Sequence, residues 1–156
     1  MKAIFRGLFI AVLVLLVGGC TALVNLVTPP DLRVSSVIPD DSGTKGLASV
    51  SVTFASVGGG LNGVDYALVL SNGTSLSYFS DVIAYEGTVD IPAFDSTAVT
   101  ITRSEIDTYM TDNGETAADG SYYVGVILDP LDRVADAITT ADNGQDVSAG
   151  EFAFSN

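Results

Sequence analysis

The side chains best suited to bind a metal ion lie close together near the C-terminus. Six oxygen-bearing side chains fall within 18 residues, namely Asp129, Asp132, Asp136, Asp142, Asn143 and Asp146. Ca²⁺ takes roughly six to eight oxygen ligands in a flexible geometry, so these groups can converge on one calcium ion if the fold brings them together. Their spacing is not that of an EF-hand, which needs a central Gly and a terminal Glu. We favour the opposing interpretation, a solvated acidic loop, because carboxylates are common throughout the chain.

The charge composition excludes several other kinds of site. The 156 residues include 19 Asp plus Glu, 6 Lys plus Arg and no His, for a net charge of −13. A chain this acidic repels phosphate backbones, so we predict no nucleic-acid partner. Without His, the chain can form neither a His-based catalytic triad nor a His-ligated metal site. A small hydrolase that uses carboxylates is one alternative, although the chain has no Trp to line a sugar-binding cleft.

The single cysteine, Cys20, follows a segment with the layout of a secretory signal peptide. Lys2 and Arg6 precede an unbroken apolar run over residues 8–17, which is too short to span a bilayer alone. An uncleaved transmembrane anchor is the alternative. In both cases the positive leader places the acidic domain outside the cytoplasm. We predict a leader at residues 1–19, a lipidated Cys and tether at residues 20–30 and one domain at residues 31–156.

The residues around the cysteine carry a more specific signal. Val17-Gly18-Gly19-Cys20 resembles the lipobox of bacterial lipoproteins. The resemblance implies a diacylglycerol on the Cys20 thiol, cleavage before Cys20 and acylation of the new amino terminus. Several acyl chains anchor a protein stably, whereas one chain gives only marginal membrane binding. Thr21 rather than Asp follows the cysteine, which by the same resemblance implies the outer membrane rather than the inner one.

After the tether, apolar and polar residues alternate with the period of a β-strand. Val50, Val52 and Phe54 mark the clearest strand, and the apolar run over residues 122–128 suits a strand covered on both faces. A capping-box-like start at Ser104 and the helical spacing after it predict one or two helical turns near residues 104–112. The other strand predictions cover residues 32–34, 66–70, 99–101 and 152–154, with one or two weaker strands over residues 76–85.

Gly-rich turns separate these predicted strands. Asn-Gly pairs at residues 62–63, 72–73, 113–114 and 143–144 can supply the positive φ that tight hairpin turns need, and the pair at 113–114 would also end the helix. About seven short strands with such turns predict an all-β fold, an Ig-like antiparallel β-sandwich. The Cys…Trp…Cys signature of Ig domains is absent, so we expect a sandwich without the disulfide.

Several motifs of the domain follow one another in a characteristic order. They are Asp31-Leu32-Arg33-Val34, the strand at residues 50–54, the run from Tyr66 to Thr74 with its Asn-Gly turn, the run from Gly120 to Val126, Asp129-Pro130, and residues 133–136. In this order they resemble the CARDB family, the cell-adhesion-related domain of bacteria. The resemblance covers about residues 31–156 and implies an Ig-like fold that acts in extracellular interaction. The chain departs from the family pattern at Asp142-Asn143-Gly144.

Three aromatic residues are the candidates for contact with a partner. Tyr78, Phe79 and Tyr85 lie in a region predicted to form a sheet edge, where they either pack against the sheet or form an exposed binding face. We therefore expect a non-catalytic envelope lipoprotein that faces the periplasm or the exterior and binds an unknown protein or envelope partner. The alternative is calcium-dependent adhesion through the acidic stretch at residues 129–146.

Overall fold

The alternation of apolar and polar residues sets the positions of the strands. The computed structural model describes residues 30–131, residue 133 and residues 144–155. Within these residues lie seven strands and one helix: β1 (Leu32–Asp40), β2 (Ser49–Ser56), β3 (Leu61–Ser71), β4 (Val82–Ile91), β5 (Ser96–Thr102), α1 (Arg103–Asn113), β6 (Gly120–Leu128) and β7 (Gln145–Phe154). The predicted leader and nearly all of the predicted tether lie outside the described residues.

The strands form two antiparallel sheets that pack face to face. The strand order is β1-β2-β5 in the three-stranded sheet and β4-β3-β6-β7 in the four-stranded sheet. In the lettering of Ig domains these are A-B-E and C′-C-F-G, because β4 pairs with β3 and not with β5. The predicted all-β, Ig-like sandwich is therefore confirmed.

The inner faces of the two sheets enclose the hydrophobic core. β2 contributes Val50, Val52 and Phe54, as its alternation predicts, and β3 contributes Tyr66 and Leu68 from the facing sheet. The rings of Phe54 and Tyr66 meet with their centroids 5.0 Å apart. Full burial of a Val, Leu, Ile or Phe side chain stabilises a fold by about 1.5–3 kcal/mol. The core thus supplies the stability that other Ig domains gain partly from a disulfide.

The helix α1 lies beside β4 and β5 at one side of the sandwich. Its N-terminal cap is Thr102, whose hydroxyl accepts the backbone N–H of Glu105, while the Glu105 carboxylate accepts the Thr102 N–H at 2.7 Å. The predicted start at Ser104 is wrong by two residues, because Thr102 is the residue that stands three positions before a Glu. The predicted stop is confirmed, since Gly114 adopts the left-handed conformation (φ 71°) that ends the helix.

Three predictions about strands and turns are wrong. Asn72-Gly73 does not form a tight hairpin turn, because residues 72–81 make a long connection between β3 and β4 and Gly73 does not adopt a positive φ. Residues 76–81 belong to a connector, and β4 begins only at Val82. Asn62-Gly63 does not form a hairpin turn but lies inside β3 at a bulge, where Gly63 has a φ of 66°. The Gly63 N–H donates to the Asp90 carboxylate of β4 at 2.8 Å. Pairing with the neighbouring strand thus overrides the local turn preference of Asn-Gly.

Tyr122 forms a tyrosine corner at the start of β6. Its ring is buried against Phe154, and its hydroxyl donates to the carbonyl of Ala118, four residues upstream, at 2.9 Å. A Tyr in this position is a hallmark of Ig-like sandwiches. Tyr123 points to the opposite face, because successive residues of a strand alternate, and it is half-buried.

Tyr122→Phe should lower the free energy of unfolding by about 1 kcal/mol, because it removes the corner hydrogen bond and keeps the buried ring. Tyr123→Phe is the matched control, since it makes the same change on the opposite face, and we expect an effect within about 0.5 kcal/mol. Urea unfolding of the two variants measures the difference. Equal effects would show that the corner contributes no more than a partly exposed hydroxyl does.

Candidate functional site

The connector between β3 and β4, residues 72–81, folds onto the outer face of the four-stranded sheet. Leu76 packs so closely on Gly125 that a β-carbon at position 125 would clash with both Leu76 methyl groups. Gly125 pairs with Val69 of β3, which is fully buried although its neighbours Leu68 and Leu70 are the residues that face the core. The glycine is therefore required for the connector to reach the sheet.

Hydrogen bonds fix the tip of the connector. The backbone N–H of Ser77 donates to the Asp81 carboxylate at 2.7 Å, and the Asp81 N–H donates back to the Ser77 carbonyl at 3.0 Å. The rings of Tyr78 and Phe79 meet edge to face at 5.3 Å. Phe79 is 86 % exposed, the highest exposure among the large hydrophobic residues of the described chain. The connector thus holds an apolar ring in solvent.

Glu86, on β4, joins the connector to the helix. One carboxylate oxygen accepts the Tyr78 hydroxyl at 2.5 Å, and the other accepts the Tyr109 hydroxyl of α1 at 2.6 Å. Tyr85, the neighbouring residue, is half-buried between Tyr66 and Tyr109, at centroid distances of 6.2 and 5.9 Å. A single carboxylate therefore sets the positions of two tyrosine rings from different elements.

The same contacts change the acidity of the tyrosines. The hydrogen bond to Glu86 is the main cause that raises the pKa of Tyr78. For Tyr109, burial and then the bond to Glu86 raise the pKa well above its ordinary value. Burial also raises the pKa of Tyr66 to about 12. Each hydroxyl accordingly stays protonated and remains a donor at neutral pH.

A groove of about 280 Å³ opens between the connector and the start of the segment that follows β6. The groove is lined by Asp65, Tyr78, Glu86, Thr88, Leu131 and Arg133 together with Tyr66, Gly87 and Pro130. Asp65 and Glu86 project from the same face of the sheet, because Glu86 pairs with Ala67 and Asp65 with Thr88. Two carboxylates and a tyrosine ring therefore line one groove.

Asp129 shapes the far side of the groove. It adopts a left-handed conformation (φ 46°), which Asp tolerates better than most residues. Its N–H donates to the Asp65 carbonyl at 2.7 Å, and its carboxylate accepts the Arg133 N–H at 2.9 Å. This turn brings the Arg133 guanidinium to 3.1 Å from the Asp65 carboxylate.

The structure describes two of the six predicted calcium ligands. Asp129 is buried in the turn beside Asp65, and the Asp146 carboxylate accepts the N–H of Val147 at 2.9 Å. Asp146 pairs with Val126, three residues before Asp129 and thus about 10 Å away along the strand. Asp132, Asp136, Asp142 and Asn143 lie outside the described residues. Among those described, no group of three or more Cys, Asp or Glu is placed to hold a metal ion, and calcium stays a prediction.

The predicted partner-binding residues lie in one region but differ in exposure. Tyr78 and Phe79 share the connector, whereas Tyr85 packs against the core. Their role in binding stays a prediction. The sequence analysis did not identify Glu86 and Arg133 as site residues. The outward position of Glu86 follows from the alternation of β4. The pairing of Arg133 with Asp65 spans 68 positions and therefore has no local sequence signal.

Comparison with known proteins does not assign the chain to a family. No protein-family model matches the chain, and no curated protein matches it. In the described residues, no helix is long and apolar enough to cross a membrane. The arguments about function therefore depend on the residues themselves.

The raised tyrosine pKa values predict a loss of stability in alkali. A tyrosine of the unfolded chain ionises at about pH 10, and the folded chain holds the same proton more tightly. The stabilisation is therefore complete below about pH 10 and is lost as the pH rises through the folded-state pKa values. We expect the urea midpoint, measured by far-UV circular dichroism, to fall as the pH rises from about 10 to about 12.

Glu86→Gln is the control for this pH dependence. The change replaces one acceptor oxygen by an amide donor, so one tyrosine hydroxyl loses its acceptor. The midpoint of the variant should be lower at neutral pH and should decline less on the way to alkali. An equal decline in both proteins would exclude Glu86 as a cause.

Proposed function

We propose that this protein is a bacterial envelope lipoprotein, anchored through Cys20, which presents an Ig-like domain for non-catalytic binding to a protein or envelope partner. The main support for the binding role is the exposure of Phe79: 86 % of this residue is exposed, and the connector that bears it is fixed to the sheet. Aromatic side chains that fill a partner's pocket contribute much of the energy of protein interfaces.

The fixed connector makes this surface suitable for binding. An interface loses free energy when mobile side chains and loops become ordered on association. Leu76 on Gly125 and the Tyr78 bond to Glu86 already hold the connector in place. A partner would therefore meet Phe79 in a position that needs little further ordering.

The anchoring part of the proposal depends on the sequence alone. Cys20 and the leader resemble those of lipoproteins, and the tether would hold the domain at a distance from the membrane. By the same resemblance we place the protein in the outer membrane rather than the inner one.

No observation in the described residues supports either alternative function, calcium-dependent adhesion or carboxylate-based hydrolysis. Calcium-dependent adhesion requires residues outside the described part of the chain. For a carboxylate-based hydrolase, Glu86 is a poor general acid, because both of its oxygens already accept tyrosine hydroxyls.

Cys20→Ser should release the protein from the membrane, because serine cannot carry the thioether-linked lipid. We expect the wild-type protein to incorporate labelled palmitate and to sediment with envelope membranes, and the variant to do neither. A variant that still sediments after a high-salt wash would favour an uncleaved transmembrane anchor.

Phe79→Ser should weaken binding to the partner. The test is the binding of purified residues 21–156, which include every core residue of the described fold, to envelope fractions of the bacterium that makes the protein. We expect a loss of about fivefold to thirtyfold, as for an interface anchor worth 1–2 kcal/mol. Ile38→Ser is the matched control, because Ile38 is also exposed (62 %) but lies on the other sheet. Equal binding by Phe79→Ser and wild type would contradict the proposed surface.

A further inference from the structure

We propose that the groove binds the guanidinium group of an arginine side chain presented by a protein partner. This inference rests on the proposed function and names the chemistry of the partner that meets the connector. The groove adjoins the exposed Phe79 through Tyr78, whose ring contacts that of Phe79. One partner segment can therefore engage both features.

Charge complementarity selects a cation for the groove. The chain has a net charge of −13, and the groove holds the carboxylates of Asp65 and Glu86 beside the ring of Tyr78. A tyrosine ring attracts a cation to its face, and a carboxylate pairs with a guanidinium through two parallel hydrogen bonds. A carboxylate offers about four lone-pair positions, of which the two tyrosine hydroxyls use two at Glu86.

Arg133 shows how a guanidinium fits against Asp65. The two groups lie 3.1 Å apart, with 64 % of the arginine and 40 % of the aspartate side chain exposed. An ion pair so exposed contributes about 0–1 kcal/mol. The arginine of a partner can therefore displace the Arg133 side chain at small cost.

The backbone of this turn does not depend on the Arg133 side chain. The Asp129 carboxylate holds the Arg133 N–H, and the Asp129 N–H donates to the Asp65 carbonyl. A substitution of the Arg133 side chain thus leaves these hydrogen bonds in place. Arg133 acts as an internal competitor for the groove.

The groove suits arginine better than lysine. A planar guanidinium can pair with a carboxylate while it stacks on a ring, whereas an ammonium acts as a point charge. Leu131, 42 % exposed, offers apolar contact to the methylene stem.

The test uses N-acetyl-arginine amide and, as its neutral counterpart of the same shape, N-acetyl-citrulline amide. Each is titrated at constant ionic strength into the full chain, solubilised in a nonionic detergent. Binding is followed by the amide NMR signals of Gly87, Thr88 and Leu131, which line the groove. We expect saturable shifts with the arginine probe and none with the citrulline probe.

Two pairs of variants separate the groove from the overall charge. Arg133→Gln should tighten arginine binding by about threefold, because it removes the competitor. Lys45→Gln removes the same charge at a site away from the groove and should leave the affinity unchanged. Asp65→Asn should weaken binding by about tenfold, whereas Asp112→Asn, a matched change on α1, should not.

Equal shifts with citrulline would overturn the proposal. Equal tightening by Arg133→Gln and Lys45→Gln, or equal weakening by Asp65→Asn and Asp112→Asn, would also overturn it, because binding would then follow the net charge. If the arginine probe fails to bind while Phe79→Ser still weakens binding to the envelope, the arginine site is lost and the proposed function stands. If the probe binds and Phe79→Ser has no effect, the site stands and the proposed surface is lost.

Discussion

β3 is apolar on both faces, whereas a sandwich of two sheets covers only the inner one. Every residue from Tyr66 to Ser71 is buried, including Ala67 and Val69, which alternate with the core residues. A strand of this kind needs a second cover on the outer face of its sheet. The connector after β3 supplies it, since Leu76 lies on Gly125, the partner of Val69 in β6. The position of the connector is thus a consequence of burying β3.

The remaining contacts of the candidate site follow from that position. With Leu76 on the sheet, Tyr78 reaches Glu86 on β4, and Glu86 in turn holds Tyr109 of the helix. β4 is an edge strand, and an uncovered edge invites pairing with other chains. Its bulge, its outward carboxylates and the helix beside it all disfavour such pairing. The contacts that place the candidate site therefore also protect the sheet edge.

The sequence predicts those features that depend on near neighbours. The alternation of Val50, Val52 and Phe54 predicts β2, and Asn113-Gly114 predicts the end of the helix. Aromatic and apolar residues over 76–81 predict a strand because they indicate burial, and Leu76 is indeed packed on the sheet, although without strand pairing. The residue types of a segment indicate that it is buried, but they do not indicate whether it pairs with a strand through hydrogen bonds.

The candidate site is less predictable than the fold for the same reason. Phe79 and Tyr78 can be found by residue type, but their neighbours are fixed by strand register and by contacts between distant segments. Glu86 meets Tyr109 across 23 positions, and Asp65 meets Arg133 across 68. Neither pair has a local pattern, so each becomes visible only when β3, β4 and the helix are assembled.

Within the residues that the structure describes, two arginines pair with carboxylates, and their exposure separates their roles. Arg103 lies 2.6 Å from Asp107 and 4.1 Å from the centre of the Phe154 ring, with 13 % of its side chain exposed. The Arg103 guanidinium packs on the Phe154 ring and so joins the helix to β7. The arginine of a partner could take its place only if this contact opened first. Arg133 has a similar carboxylate partner but is 64 % exposed, and water already competes for both of its groups. The exposed fraction, more than the distance, determines that Asp65 is the carboxylate that a partner's arginine can reach.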